Sequence, residues 1–504
     1  MIFLPVLLSA FTHLWKPIDF PFGPSNDESI YLRRAMYVLN GFGPQQGQFY
    51  DHPFFAQFFL AGIFKIVGYP NSFHPSANGD EHSIETLYLL PKIIAGLLAV
   101  LDTILIYKIT QILYNRNAAF LASLLFAVMP ITGELRWVLL EPIQLPFILS
   151  SILFAIFIGI KDRSGIGNFA FVLLSGIFLG LAIFTKIPVF TMIPLVGFLI
   201  IKNSKKMKLR SILLWFIPVI LIPLIWPAYA ISIGQFSQWS SGVYTQTHRS
   251  NHTFLSSINY NFIIDPLFVG LSVIALLFIL FIKRDLFIAL WVAPFLFLLY
   301  IVGFVSLWHF IPILPACCIA VAKFILDITS LITTKKRILL RQSLPFIVIS
   351  AIGFFGLFST ITMIAPSDNS HFFKAAAFVN QYLKNNENNT YNFDNNNNLN
   401  SKITVTGNPF YLWIPEYVFH FHADYIGYYE NNKPIETKKI LEIMDTGLKS
   451  LLARNNAAKQ IQAMNDNPNL YKVNRIATFI GKTQNKIDIL LIYGINQGNN
   501  NNIK

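Results

Sequence analysis

Carboxylates and a histidine are concentrated in one polar loop near the start of the chain. The loop carries the adjacent pair Asp27 and Glu28 and, further along, the stretch Asp51, His52 and Pro53. A carboxylate or a histidine can take a proton from an attacking hydroxyl group, which is general base catalysis. The loop is therefore the first candidate for an active site.

Both motifs also have a purely structural interpretation. Asp27 and Glu28 stand at the start of a helical pattern, where carboxylates complement the helix dipole and Ser25 or Asn26 can act as the cap. Residues 51–53 are also typical of a turn before a helix, because proline fixes its own φ and restrains the residue before it. The sequence leaves both interpretations open at this point.

A second set of ionisable residues lies at the ends of apolar segments. It comprises Lys92, Arg136, Glu141 and Lys186. A charge near hydrocarbon is costly and normally has a partner or a task, and cations in such places can bind a phosphate group. The alternatives are an ion pair, such as Arg136 with Glu141, or a lysine that reaches to the membrane interface.

The composition indicates what kind of chain must position these residues. Of 504 residues, 54% are hydrophobic and 12% are charged, and the mean hydropathy is +0.52. An ordinary soluble domain carries roughly 25% charged residues, so this is a polytopic membrane protein. The net charge of +13 does not indicate nucleic-acid binding, because the basic residues form short clusters between apolar runs instead of one basic face.

The basic clusters predict the topology. Each pair of neighbouring clusters bounds an interval that suits two membrane crossings, so all of them fall on one side, which is cytoplasmic by the positive-inside rule. The clusters are at 108–116, 161–163, 202–210, 283–284 and 335–341. With a short first helix within residues 2–15, the pattern predicts about eleven helices. This odd number places the polar loop, residues 16–86, and the carboxyl terminus outside.

The chain after the membrane segments has a different composition. We therefore expect a transmembrane domain over residues 1–365 and an extracytoplasmic domain over 366–504, with an Asn-rich segment at 385–400. Residues 403–406 and 487–493 predict strands and residues 435–452 predict a helix, which together indicate a small α/β domain. Within the polar loop, 29–39 and 54–67 predict helices on the membrane surface.

A site with cations, carboxylates and a histidine at the outer membrane surface suits an anionic, lipid-linked substrate. The cations would hold a phosphate, and a carboxylate would take a proton from an attacking hydroxyl. This combination predicts a group-transfer reaction.

Several stretches, in their order along roughly residues 1–330, resemble the GT-C glycosyltransferases. The resemblance is to glycosyltransferase family 39, which includes the dolichyl-phosphate-mannose protein mannosyltransferases and the aminoarabinose transferases. It rests on Asp27-Glu28 with Tyr31, and on residues 50–54, 113–119, 136–141, 179–186 and 309–315. Three positions depart from the family pattern. Phe54 follows Pro53 where the family has a second proline, Glu141 stands in place of Asp, and Trp308-His309 stands in place of an Arg-Tyr pair.

This resemblance implies a GT-C fold and an inverting transfer of a sugar, a hexose such as mannose. The donor would be a polyprenyl- or dolichyl-phosphate sugar, the acceptor a protein, a lipid or a glycan, and the site the outer face of the plasma membrane. Asp27 would be the catalytic carboxylate, supported by Glu28. The residues implied for the donor and its phosphate are Asp51, His52, Lys92, Arg136, Glu141, Lys186 and Arg249.

Two other functions compete with this one. An oligosaccharyltransferase of the same superfamily carries a Trp-Trp-Asp-x-Gly motif, which the sequence lacks. A transporter or flippase of lipid-linked saccharides would use the same cations, but such proteins often contain internal repeats, and the sequence shows none. A divalent cation stays open, since five of the site residues are of ligand type but match no metal-binding spacing.

Overall fold

A computed structural model gives the fold of the chain. It describes residues 1–19, 26–45, 50–73, 81–158, 166–204, 208–249, 253–332, 338–366, 370–386, 403–407, 418, 439–445, 471–483 and 486–497. The chain separates into two compact units. The first unit is Met1–Trp15, Gln45–Ala56 and Ile93–Thr362, and the second is Lys16–Pro44, Gln57–Lys92 and Met363–Lys504.

Helices make up most of the described chain. In chain order they are α1 (Phe3–Leu14), α2 (Asn26–Leu39), α3 (Phe55–Ile66), α4 (Glu81–Leu113), α5 (Arg116–Val128), α6 (Leu140–Phe157), α7 (Ile166–Thr185), α8 (Ile193–Asn203), α9 (Lys208–Ser232), α10 (Phe236–Thr247), α11 (Phe254–Ile264), α12 (Pro266–Leu277), α13 (Leu286–Ile301), α14 (Leu314–Ile332), α15 (Ile338–Ile364) and α16 (Ser370–Asn386). Tighter 3-10 segments lie at Asn71–Phe73, Pro130–Arg136, Ile187–Met192 and Leu307–Ile313, and a π-helical turn lies at Phe278–Ile282.

The apolar helices follow the order predicted for a polytopic membrane protein. By length and composition, six helices of the described chain can cross a membrane: Ile84–Leu113, Leu140–Phe157, Asn168–Thr185, Lys208–Ser232, Leu307–Leu331 and Ser343–Ile364. A seventh is Arg116–Val128 with Pro130–Arg136, bent by 67°. Shorter apolar helices at Phe3–Leu14, Ile187–Asn203, Pro266–Ile282 and Leu286–Ile301 occupy the intervals of the remaining predicted crossings.

Close helix packing in the first unit depends on small residues. A Cβ atom added to Gly176 would lie 2.3 Å from the carbonyl oxygen of Trp215, and one added to Gly180 would lie 2.5 Å from that of Pro218. The two glycines are four residues apart and therefore share one face of α7. They allow α7 and α9 to approach with backbone against backbone, a common arrangement in membrane helices.

The helices of the polar loop agree with the prediction. α2 covers the predicted 29–39 and begins a few residues earlier, and α3 lies within the predicted 54–67. Both patterns have apolar residues at helical spacing, so their buried faces could be read from the sequence. In α2 these buried residues are Tyr31, Leu32, Ala35 and Met36.

The second unit contains a four-stranded sheet near the carboxyl terminus. Its strands are β1 (Ile403–Gly407), β2 (Lys439–Asp445), β3 (Tyr471–Thr483) and β4 (Lys486–Gln497), in the order β1-β2-β4-β3. β2 is parallel to β1, and the other pairs are antiparallel. α16 contacts β3 and β4. The two predicted strands are confirmed, and the Asn-rich stretch lies outside the described residues from 387 to 400.

The helix predicted over 435–452 is wrong where the structure describes it. Residues Lys439–Asp445 form β2, which is paired with β1 along one edge and with β4 along the other. The stretch also contains residues compatible with a helix, but hydrogen bonding to strands on both sides overrides a weak local preference. That pairing involves β4, which lies about fifty residues further along the chain.

Candidate active site and donor-binding residues

The predicted acidic pair lies in the first turn of α2, in the second unit. Asp27 and Glu28 occupy that turn, where negative charge complements the positive end of the helix. Glu28 is only 2% exposed, whereas Asp27 is half-buried. The structure therefore separates two carboxylates that the sequence could only treat as a pair.

Glu28 is engaged in a buried ion pair with Lys92. The Nζ atom of Lys92 lies 2.5 Å from Oε1 of Glu28, and both side chains are almost completely buried. Lys92 belongs to α4, so this contact ties the start of α2 to a second helix of the same unit. Lys92 was predicted to contact phosphate, and the structure places it on a carboxylate. Its phosphate contact stays a prediction.

The Asp51-His52 turn lies in the first unit and is fixed by the aromatic residues beside it. Oδ1 of Asp51 accepts a hydrogen bond from the backbone N–H of His52 at 2.9 Å, as expected for a local turn. On one side, the buried Tyr50 donates to Oε1 of Gln235 at 2.8 Å. On the other, the buried Phe54 packs against other aromatic rings of the unit. Asp51 and His52 themselves are half-buried.

Tyr50 acts as a hydrogen-bond donor at this turn. Burial, and then the neighbouring Tyr229, raise the pKa of the Tyr50 hydroxyl above its usual range. The phenol therefore stays protonated at physiological pH, which matches its hydrogen bond to Gln235.

Glu141 and Lys186 form a buried ion pair within the first unit. Glu141 lies in the first turn of α6, and Lys186 lies between α7 and the 3-10 segment Ile187–Met192. Gln144 stabilises the end of α7, because its Nε2 atom donates to the carbonyl oxygens of Ala182 and Lys186 at 2.8 and 2.9 Å. The structure thus pairs Glu141 with Lys186, and the alternative of an Arg136–Glu141 pair is wrong.

Arg136 binds the end of the first helix. Its Nη1 atom donates to the carbonyl oxygen of Thr12 at 2.7 Å, and its Nη2 atom to that of Trp15 at 2.9 Å. These carbonyls belong to the last turn of α1 and its carboxyl end, where backbone acceptors lack helical partners and the helix dipole is negative. With 1% exposure, Arg136 caps α1, and its predicted phosphate contact stays a prediction.

Positive charge gathers around His309 in the first unit. His52, Lys186 and Arg249 all lie close enough for their charges to act on the His309 ring. Arg249 is exposed to solvent, and its Cζ atom lies 4.8 Å from the centroid of the Phe304 ring. Three of the predicted donor-binding residues therefore act electrostatically on one ring.

His309 is a candidate site residue that the sequence did not indicate. Its Nδ1 atom accepts a hydrogen bond from the backbone N–H of Ser306 at 2.7 Å, in a capping box that starts the 3-10 segment Leu307–Ile313. The available signal was the departure from the family pattern at Trp308-His309. That departure puts an imidazole ring where a tyrosine is common.

A metal ion has no evident site in the described part of the chain. Among those residues, no group of three or more His, Cys, Asp or Glu side chains could hold one. The oxygens of Asp102, a buried carboxyl in α4, make no hydrogen bond to the described residues.

Known proteins resemble this chain in sequence and in fold. The sequence model of the dolichyl-phosphate-mannose-protein mannosyltransferase family matches residues 44–234. No curated protein matches the chain at a significant level. The crystal structure of ArnT from Cupriavidus metallidurans bound to undecaprenyl phosphate has a TM-score of 0.59 and 12% sequence identity, over 97% of each chain. ArnT is a GT-C glycosyltransferase.

The chain has the GT-C fold. An oligosaccharyltransferase of the same fold, from Archaeoglobus fulgidus and tethered with an acceptor peptide, gives a TM-score of 0.52 at 11% identity. The oligosaccharyltransferase AglB from Archaeoglobus fulgidus, in complex with an inhibitory peptide and a dolichol-phosphate, gives 0.53 at 12% identity. Each comparison covers 84% of this chain, which spans only 63% of the length of that enzyme. The resemblance to GT-C glycosyltransferases indicated by the motifs is confirmed.

Proposed function

We propose that the chain is an integral membrane glycosyltransferase that uses a polyprenyl- or dolichyl-phosphate sugar as its donor. The observation that carries the proposal is the difference in burial between two adjacent acids. Glu28 is buried and paired with Lys92 at 2.5 Å, while Asp27 is half-buried in the same helical turn. Of the two carboxylates, Asp27 is the one that a substrate can reach.

Asp27 serves as the base in this proposal. Its carboxylate takes the proton of the acceptor hydroxyl, whose oxygen attacks the anomeric carbon of the donor sugar. The new C–O bond forms as the bond between that carbon and the phosphate oxygen breaks. The electron pair leaves with the lipid phosphate, and attack from the opposite face inverts the configuration. The Glu28–Lys92 pair fixes the first turn of α2, and so positions Asp27.

The cations of the first unit serve the phosphate. His52, Lys186 and Arg249 all act electrostatically on His309, and positive charge of this kind stabilises a dianionic leaving phosphate. Lys186 is held by Glu141, which orients its ammonium group. This arrangement supports a phosphate-linked donor, whatever sugar the donor carries.

The acceptor and the location are further parts of the proposal. We place a transferase domain at residues 1–365 and an extracytoplasmic domain at 366–504, with the reaction on the outer face of the plasma membrane. The acceptor is a hydroxyl or amino group of a protein, a lipid or a glycan. The basic clusters between the apolar helices support this orientation.

The test measures release of lipid phosphate by the purified protein in detergent. A panel of polyprenyl and dolichyl phosphosugars is supplied with candidate acceptors, and the wild type is compared with Asp27→Asn. We expect the wild type to release lipid phosphate and the isosteric amide to lower the rate by about two to four orders of magnitude. Binding of the bare lipid phosphate should be retained in both proteins.

Other outcomes would contradict the proposal in different ways. If both proteins bind donors but neither turns them over, with divalent metals also supplied, a transporter of lipid-linked saccharides becomes the better interpretation. If Asp27→Asn is as active as the wild type, Asp27 only stabilises the start of α2.

A further inference from the structure

One cavity of the first unit is lined by polar, uncharged groups along one helix. Its volume is about 340 Å³, within the range of about 300–1,000 Å³ that is typical of small-molecule sites. We call it the α10 cavity. It is lined by Tyr50, Asp51, Ser237, Gln238, Ser241, Gly242, Thr245 and Gln246.

The spacing of polar residues along α10 produces this lining. Ser237, Ser241 and Thr245 recur at every fourth position and form a row of hydroxyl groups. The next row contains Gln238 and Gln246, which provide side-chain amides, with Gly242 between them. One face of the helix is therefore dedicated to hydrogen bonding.

The other face of α10 attaches the helix to its own unit. Trp239 and Val243 pack against a buried cluster that includes Tyr50 and Trp226. A Cβ atom on Gly242 would lie 2.2 Å from the carbonyl oxygen of Tyr50, so the backbones of the two walls touch directly. The hydrogen bond from Tyr50 to Gln235 fixes the same contact at the start of the helix. The cavity thus has two walls that are held against each other.

The chemistry of the lining favours a sugar over a phosphate. None of the eight lining residues is a lysine or an arginine, the side chains that phosphate groups prefer. Hydroxyls, amides and a carboxylate match the many hydroxyl groups of a sugar ring, each of which can both donate and accept. His52 and Arg249 are neighbours of the lining residues Asp51 and Gln246 but do not line the cavity themselves.

The hydrogen bonds inside the cavity wall leave suitable groups for a ligand. Thr245 donates its hydroxyl proton to the carbonyl oxygen of Ser241 at 2.9 Å, so its oxygen can serve as an acceptor. Oε1 of Gln246 accepts from Arg249 at 3.1 Å, so its amide N–H groups can serve as donors. Asp51 adds a carboxylate, the strongest acceptor for a sugar hydroxyl.

We propose that the α10 cavity binds the neutral, hydroxyl-rich ring of a sugar. The proposal rests on the glycosyltransferase function proposed above and names the part of a substrate that this cavity takes. A sugar ring is found both on the lipid-linked donor and on a glycan acceptor. The hydrogen-bonding groups of the cavity suit either ring.

The first experiment tests sugar binding without any turnover. The probes are methyl hexosides of mannose, glucose and galactose, observed by saturation-transfer NMR with the full chain in detergent. We expect at least one hexoside to bind, and the double variant Ser241→Ala with Thr245→Val to weaken its binding by about tenfold. Ser240→Ala is the matched control, because Ser240 lies on the same helix but does not line the cavity. It should bind like the wild type.

The second experiment finds which substrate the sugar belongs to. Affinities for a hexosyl polyprenyl phosphate and for the bare polyprenyl phosphate are compared in the same variants. If the cavity holds the donor sugar, the double variant weakens only the sugar-bearing lipid. If it holds the acceptor sugar, both lipids bind as in the wild type and the KM for a glycan acceptor rises about tenfold.

The proposal is overturned if no hexoside binds to the wild type, or if the double variant binds hexosides, both lipids and acceptor as well as Ser240→Ala does. One further result distinguishes the sugar-binding proposal from the transferase proposal. If hexosides bind in a manner that depends on Ser241 and Thr245 but no donor is ever turned over, the sugar site stands and the transferase proposal fails.

Discussion

Glu141 and Lys186 form an ion pair in which both side chains are buried, although 45 residues separate them in the chain. Two charges removed from water depend on each other, because the loss of one leaves the other without compensation. The pair closes the break between α7 and the segment Ile187–Met192, next to the cations proposed to hold phosphate.

We expect single neutral substitutions in this pair to destabilise the protein more than the double substitution. Glu141→Gln or Lys186→Gln should each cost about 3–5 kcal/mol, because each leaves an unpaired buried charge. Combining the two should recover a large part of that loss. Melting temperatures of the three variants in detergent, compared with the wild type, measure this coupling. Additive losses would show that the two groups do not stabilise each other.

Asp27 and Glu28 should respond differently to the same chemical change. Glu28→Gln removes the negative charge that pairs with the buried ammonium group of Lys92, so it should lower the melting temperature as well as the activity. Asp27→Asn changes a half-buried side chain at the start of the helix, so it should lower the activity with a much smaller loss of melting temperature. Thermal melting and donor turnover are measured on both variants. Equal losses of stability would argue that both acids are structural.

Gly242 should tolerate no side chain. Because a Cβ atom would lie 2.2 Å from the carbonyl oxygen of Tyr50, Gly242→Ala must push α10 away from the Asp51-His52 turn. We expect a loss of about 1–3 kcal/mol and lower activity. Gly270→Ala is the control, since nothing lies within 4 Å of a Cβ at that helical position. It should raise stability slightly. Similar behaviour of the two variants would contradict the close contact.

Asp265 should make stability depend on pH. Burial raises the pKa of this carboxyl to about 6, despite the backbone N–H groups of Phe268 and Ile131 that lower it. The unfolded carboxyl has a pKa of about 3.9, so the folded state binds more protons between these values. Its contribution to stability is present at low pH and is lost as the pH rises through about 6.

Asp265→Asn removes this titration while keeping an acceptor at the start of α12. The melting temperature of the variant, followed from about pH 4 to about pH 8, should fall less steeply between about pH 4 and about pH 6 than that of the wild type. The variant should be the more stable protein above about pH 6, by up to about 3 kcal/mol. Parallel profiles would show that Asp265 does not titrate in this range.

The sequence alone predicted the membrane class, the order of the apolar helices, the helices α2 and α3, and two of the four strands. These features depend on local composition and periodicity, which can be read directly from the sequence. It also placed Asp27 and Glu28 at the start of a helix, because helix-start signals are local. Family motifs added the GT-C fold.

The tertiary structure alone decided the partners. A buried charge must be compensated, but the sequence does not say by which residue, so Glu141 was considered with Arg136 and is paired with Lys186. Residues 439–445 were predicted as helix and form β2, because strands far away in the chain supply their hydrogen bonds. The α10 cavity likewise requires a helix and a turn almost two hundred residues apart to touch. Such contacts come from packing, which no local pattern encodes.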